Sequence, residues 1–570
     1  MPVTFSPFAS RRSAVHSING IVACTQPLAA IAGQSILRRG GNAADAAITV
    51  AACLNVTEPW STGIGGDMFC LFYDAQKKKV EAINGSGRAP ASITLQEVRR
   101  KLGMVNNQPG GIPLTSVCAV TVPGAAAGWI DTVERFGSRR LSLKEILEPA
   151  IELAEKGFPV SEISAYYWKV NEQSLRDASP NFKEMLKKDS TATDGVRAPR
   201  VGEIMKMPAL ANTFHQLASE GKDGFYSGRI AKAIAKVMQD LGGYLSEADL
   251  KYHAERGSDS VDPVSLRFTP ESKQSIDIWE HPPNGQGIIA LMALGMIQEL
   301  EKTGTPIPPH NSAEYLHLLI EVLRIAFTDG TWWISDPDFN TAPDLLSSLY
   351  LAERARLYNP NQASGVLDHG SPALRSSDTV YFAVTDAHGN AASVVNSNYH
   401  GFGSGIIPAD CGFTLQSRGA NFLLEPGHPN ALEPGKRPYH TIIPAMATNP
   451  DGSLHSVFGV MGGFMQPQGH VQVLMNMLVF GMSPQEALDA PRMCLGVGTS
   501  SDGWNVDVEE GISSEAIHGL RRRGHRVEVR TGWQRDLFGR GQIIRMEMED
   551  GQRVFSAGSD PRGDGMAVPM

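Results

Sequence analysis

Apolar and polar positions change rhythm several times along the 570 residues. Between Ile21 and Glu58 small apolar residues dominate. They predict two close-packed helices, Pro27–Arg39 and Ala43–Leu54, with Gly40-Gly41 as the stop and Asn42 as the next N-cap. A Gly-rich turn, Ser61–Asp67, leads into the apolar run Met68–Tyr73, a strand that Val80–Ile83 can pair with. From Leu141 to Gly257 the pattern is largely helical with Pro and Gly breaks. In Ala313–Asp329, Leu316, Leu319, Ile320, Leu323, Ile325 and Phe327 recur at helical spacing, which marks a core face. After Asn359 the rhythm breaks. Pro360–Asp378 reads as loop, Thr379–Thr385 as a strong strand, Asp386–Gly389 as a turn and Asn390–Asn396 as a second strand, together a hairpin. Gln468–Phe480 reads as a helix after a Gly-rich turn. The sharpest boundary falls at about residue 378, and no internal repeat is found.

Charge and composition narrow the classes. The 51 Lys+Arg against 60 Asp+Glu leave a net charge of −9, so neither a nucleic-acid partner nor an anionic membrane surface is expected. The most apolar window, Gly287–Met296, is far short of the ~18 residues a membrane span needs. Met1–Ser17 has Arg11 and Arg12 but no apolar stretch behind them, so no secretory signal is predicted. Six scattered cysteines without CxxC spacing read as reduced thiols, and the expected location is cytoplasmic. Fifteen histidines show no HExxH or other clustered pattern, so no metal is expected, and no cofactor. Gly401-Phe402-Gly403-Ser404-Gly405 lacks the Lys of a phosphate loop and reads as a turn; no GxSxG elbow occurs.

Thr379 stands out, at the head of a strong strand and behind an irregular linker. If the Asp378–Thr379 bond is cut, the new α-amino group can serve as base for the threonine hydroxyl. An α-amino pKa of ~7.7–8 leaves enough free base at neutral pH, so no histidine is needed.

Over nearly its whole length the chain resembles the γ-glutamyltransferase (glutathione hydrolase) family of N-terminal-nucleophile (Ntn) hydrolases. The matching motifs are Gly40–Ala47, Glu58-Pro59 with Gly63–Gly66, and Val122-Pro123-Gly124. Further along come Thr379 with Asp386 and Gly389-Asn390, Lys436-Arg437-Pro438, Gly462-Gly463 and Ser559–Arg562. The resemblance implies an α/β (α+β) fold, a four-layer αββα sandwich. It is made of two subunits, 1–378 and 379–570, produced by self-cleavage between Asp378 and Thr379. It implies Thr379 as nucleophile, Ser397 as the hydroxyl beside it, and Gly462 and Gly463 as oxyanion hole. It implies a small-molecule amide substrate and leaves open a homo-oligomer of the processed heterodimer.

The same resemblance shows departures at the substrate. The family's carboxylate-clamping arginine falls at Ser86, with Arg88 two residues on. The aspartate for the glutamyl ammonium falls at Asn421, a neighbouring glutamine at Arg418, and the paired serines at His440 and Thr441. Between Leu424 and Lys436 the segment is too short for a lid loop. The stretch Gly462-Gly463-Phe464-Met465-Gln466-Pro467-Gln468-Gly469-His470 resembles the branch that includes oxamate amidohydrolase and other γ-glutamyltransferase-like proteins. The nominal expectation is hydrolysis or transfer of γ-glutamyl amides such as glutathione. The alternatives are a small carboxylated amide, oxamate- or glutaryl-like, and an unprocessed binding protein.

Overall fold

The computed structural model describes residues 12–104, 110–270, 273–365, 378–496 and 505–570. Most of the predicted linker before Thr379 lies outside the described residues, as does most of the N-terminal stretch. Two seven-stranded sheets lie face to face. In one, Met566–Pro569, Ile21–Cys24, Asp378–Thr385, Ala391–Tyr399, Asp67–Asp74, Lys79–Gly85 and Asp259–Val261 are neighbours in that order. In the other the order is Val15–Ser17, Gln552–Ser559, Arg540–Glu549, Leu454–Met461, Ala445–Thr448, Ile276–Glu280 and Val264–Phe268.

Strand alternation shows the layering. In Asp378–Thr385, Val380, Phe382 and Val384 pack into a core under the helices of the first half of the chain, whereas Tyr381 and Ala383 face the second sheet. In Leu454–Met461, Val457 and Met461 meet them from across, and Phe458 and Val460 turn to the helices Gly287–Lys302, Ala313–Trp333 and Met465–Leu478. Both faces of both sheets are therefore buried, and the layers run helix, sheet, sheet, helix. This is the αββα sandwich the resemblance implies. Strands from both sides of residue 378 interleave in each sheet, so that position is not a domain boundary.

Local chemistry accounts for the elements. Pro27 opens the first helix, and Asn42 caps the second in a capping box with Asp45. The second helix runs to Thr57, three residues beyond expectation, and stops where Pro59 disfavours a helical Glu58. Asp386, in the hairpin turn, accepts the Ala43 N–H at 3.1 Å and so steadies that helix's start from a distant loop. The helix Ala313–Trp333 continues through Gly330, where any Cβ would strike Ile289. Met465–Leu478 starts earlier than predicted, because Pro467 falls in its first turn, where a missing N–H costs nothing. All six cysteines are free and buried. Among the described residues no helix is long and apolar enough to cross a membrane.

Candidate active site

Thr379 lies where the hairpin slips register: Asp378 pairs with Tyr399, but Val380 pairs with Asn396. Such a bulge re-aims a side chain at a strand end. Thr379 is 1% exposed, and its Oγ1 lies 3.0 Å from Ser397 Oγ on the partner strand. Two donors converge on that serine oxygen, the Tyr399 N–H at 2.8 Å and Arg418 Nη2 at 3.2 Å. Tyr399 holds φ at +81°, a strained value for a bulky residue. That conformation places its ring 4.3 Å under the Arg418 guanidinium.

Arg418 is fully buried, yet its contacts are a ring and hydroxyls: Tyr399, Ser397 and, at 2.6 Å, Thr441 Oγ1. Among the described residues no carboxylate forms an ion pair with it, and its Nε is buried without a hydrogen-bond partner. Burial pushes the guanidinium down to about 10, and Asp67 offsets only part of that. Gln286 extends the network: its Nε2 donates to Thr441 O at 2.7 Å and to Gly463 O at 2.8 Å, and Tyr439 OH donates to its Oε1 at 3.0 Å. A continuous chain of contacts thus runs from Thr379 through Ser397, Arg418, Thr441 and Gln286 to Gly463. Gly462 and Gly463 adopt φ of +136° and +56° between the strand Leu454–Met461 and the helix Met465–Leu478. Their N–H groups come just before a helix N-terminus, where developing negative charge is favoured.

His440 serves a second knot. Its Nε2 lies 3.0 Å from Asp67 Oδ2, and its Nδ1 accepts the Ile442 N–H at 3.3 Å, so the ring is neutral with the proton on Nε2. Burial, then Arg418 nearby, pulls its pKa down to about 3. Asp67 Oδ1 accepts from Gly87 N–H, Gly124 N–H and Gln416 Nε2 at 2.8, 3.1 and 2.8 Å. Burial opposes its ionisation, but the hydrogen bonds and His440 hold its carboxyl below the usual range. The Val122-Pro123-Gly124 motif is therefore a clasp on Asp67.

Other candidates sit to the side. Ser86 Oγ lies 3.4 Å from Asn284 Nδ2, and Ser86 O accepts Arg437 Nε at 3.1 Å. Arg88 turns to Asp259 at 3.3 Å and Asp338 at 3.9 Å, sharing Asp259 with Arg437. Asn421 is half-buried and donates to Tyr439 O at 3.0 Å. The short segment before Lys436 lines a cavity of about 550 Å³ with Thr94 and Phe339. Sequence reading missed Asp67 and Gln286. Asp67 directly follows the Gly63–Gly66 motif, which was the available signal; Gln286 had none.

A family model described as Gamma-glutamyltranspeptidase matches residues 29–570. The chain belongs to the γ-glutamyltranspeptidase family. The fold is accordingly that of an Ntn hydrolase, in a family of self-processed heterodimers. Among curated relatives, the chain is 35% identical to the glutathione hydrolase-like YwrD proenzyme of Bacillus subtilis (strain 168), over 95% of this chain and 96% of that one. It is 32% identical to the oxamate amidohydrolase proenzyme of Klebsiella pneumoniae, over 97% and 98%. A crystal structure of cephalosporin acylase from Bacillus halodurans superposes with a TM-score of 0.87 at 39% identity, covering 100% of this chain and 99% of that one.

Proposed function

We propose that this γ-glutamyltranspeptidase-family chain cuts itself before Thr379 into fragments 1–378 and 379–570, and that Thr379 then hydrolyses amides whose acyl part carries a carboxylate and no α-ammonium group. In the cutting step Thr379 Oγ1 attacks the Asp378 carbonyl carbon. The peptide C–N bond breaks as its nitrogen takes the hydroxyl proton, and water opens the ester. This leaves a carboxyl terminus at Asp378 and a free amine on Thr379. In turnover that amine takes the hydroxyl proton while Oγ1 attacks the substrate carbonyl. The oxyanion meets the N–H groups of Gly462 and Gly463; losing one such donor costs ~10²–10³ in kcat in other hydrolases. The proton passes to the departing amine, and water releases the acyl group from Thr379.

The observation that supports this substrate class is Arg418, a buried guanidinium whose partners are hydroxyls and a ring. A substrate carboxylate would neutralise it, and Ser397 and Thr441 already fix its plane for two parallel hydrogen bonds. Asn421 offers no charge to an α-ammonium group. The likeness to an oxamate amidohydrolase fits, because oxamate carries a carboxylate beside its amide. A second reading, γ-glutamyl amides such as glutathione, is favoured by the likeness to a glutathione hydrolase-like proenzyme.

The test has two stages. Intact mass and N-terminal sequencing should give two chains, the smaller starting Thr379-Val380-Tyr381 and holding roughly one-third of the 61.4 kDa. A single uncut chain without activity would favour a binding protein. Glutaryl- and γ-glutamyl-p-nitroanilide, which differ only in the α-amine, then separate the two substrate readings. The glutaryl compound should turn over at least as fast. A γ-glutamyl preference of more than about tenfold, equal to ~1.4 kcal/mol, would select the second reading.

A further inference from the structure

A second polar cluster lies in the outer helical layer and draws on both sides of residue 378. His317 and Glu321 stand one turn apart on the helix Ala313–Trp333, so their side chains share a face. His525 follows the helix Ser514–Arg522. All three are buried, and one ligand atom from each lies within 4.8 Å of the others. His317 Nδ1 is 2.7 Å from His525 Nε2, and His317 Nε2 is 2.7 Å from the carbonyl oxygen of Asn359. A carbonyl can only accept, so Nε2 carries the proton and Nδ1 turns its lone pair toward His525. The Glu321 carboxylate is oriented by Arg324 at 3.0 Å and by the Ser364 N–H at 2.9 Å, with the Ser364 hydroxyl also donating.

An imidazole with its outer N–H fixed on a backbone carbonyl, a second imidazole, and a carboxylate held by outer hydrogen bonds make up a transition-metal ligand set with its supporting shell. We propose that His317 Nδ1, His525 Nε2 and Glu321 bind a divalent cation of the Zn²⁺ class, joining the part of the chain before residue 378 to the part after it. Two imidazoles select such an ion over Ca²⁺ or Mg²⁺. Metal–nitrogen bonds of ~2.0–2.1 Å in a tetrahedron set the nitrogens roughly 3.3 Å apart, so the 2.7 Å contact opens by under about 1 Å. His525 moves its proton from Nε2 to Nδ1 and stays neutral. Arg523 nearby is balanced by Glu314 at 2.5 Å, and Arg324 by Glu321 itself; the two guanidiniums lower the affinity without closing the site. The ion would also anchor the segment carrying Asn359 and Ser364, which leads toward the cut. The residue string gives no pattern for this cluster, because 208 positions separate the two histidines.

The full-length protein, dialysed against micromolar ZnCl₂ and then gel-filtered, should hold about one Zn²⁺ per molecule by elemental analysis. Co²⁺ should give a visible absorption of tetrahedral intensity. His525→Ala and Glu321→Gln should each lower Zn²⁺ affinity by at least about tenfold. Glu321→Gln keeps the side-chain volume and serves if His525→Ala does not fold. A wild-type protein that retains no Zn²⁺ would overturn the proposal. So would variants that retain it as well as wild type, because the ion would then sit elsewhere. Metal content does not depend on the chemistry at Thr379, so this test and that of the proposed function fail independently.

Discussion

Two buried arginine clusters in this chain are built on opposite terms. Near the C-terminus Arg492 meets Asp560 at 2.7 Å, Arg562 meets both Asp560 at 3.0 Å and Glu509, and Arg535 meets Glu509 at 2.7 Å. The Gly541 N–H and the Arg492 N–H bind the same carboxylates at 2.8 and 2.9 Å. Each guanidinium there faces a carboxylate from the chain itself. Arg418 is equally buried and faces none among the described residues, only hydroxyls and a ring. The Ser559–Arg562 motif is thus a finished structural joint, whereas the Arg418 pocket is a half-built ion pair. Asp67 offsets the buried Arg418 charge only in part, and the proposed substrate carboxylate would complete the pair.

The sharpest break would come at the nucleophile. Thr379→Ala should leave one uncut 61.4 kDa chain without hydrolase activity, read by intact mass; cleavage at the same bond in that variant would sink the assignment. The two arginine clusters should then separate in stability. Asp560→Asn strands the Arg492 guanidinium and takes one of the two carboxylates from Arg562, and should cost about 3–5 kcal/mol by denaturant unfolding, whereas Arg418→Met removes a charge with no carboxylate in contact and should cost less than about 1 kcal/mol. The same Arg418→Met should lower kcat/KM on a carboxylated amide by about 10²-fold. Equal destabilisation of the two variants would erase the contrast. Ser397→Ala, with the hydroxyl beside Thr379 gone, should cost about 10- to 100-fold in kcat at unchanged fold, measured by steady-state kinetics and circular dichroism.

The mildest effect is pH-dependent. His440 stays neutral in the fold down to about pH 3 but titrates near 6.5 when unfolded. The unfolded chain therefore binds the extra proton in that window, and stability falls as pH drops from 6.5 toward 3. Asp67, held below its ordinary value, acts in the same direction at the acid end. His440→Gln should flatten the fall in melting temperature between about pH 6 and 4. An unchanged slope would place the acid sensitivity elsewhere.

Much of this architecture was legible in the sequence because its signals are local. The Thr379 hairpin, the Asn42 cap and the core face of Ala313–Trp333 follow from alternation, turn chemistry and helical spacing. Thr379 is singled out as a candidate by its place at a strand head behind a broken linker, and the resemblance of the surrounding motifs carries the rest of that assignment. What stayed hidden depends on side-chain direction and on long-range closure. Nothing in the string of residues says that Arg88 turns to Asp259, or that Gln286 reaches both Thr441 and Gly463. His440 falls at a family substrate position by resemblance, and the residue string does not show that both of its ring nitrogens are engaged, one at Asp67 and one at the Ile442 N–H.

The interleaving of strands from both halves has a consequence for the order of events. Asp378–Thr385 is hydrogen-bonded between Ile21–Cys24 and Ala391–Tyr399, near the middle of its sheet. On the proposed cut before Thr379, the strand that carries the scissile bond takes its place only when a segment from near the start of the chain and the following hairpin strand have joined it. Such a cut would make folding the licence for activity: misassembled copies would stay inert, and each active molecule would carry in its new amino terminus a permanent record of having folded once.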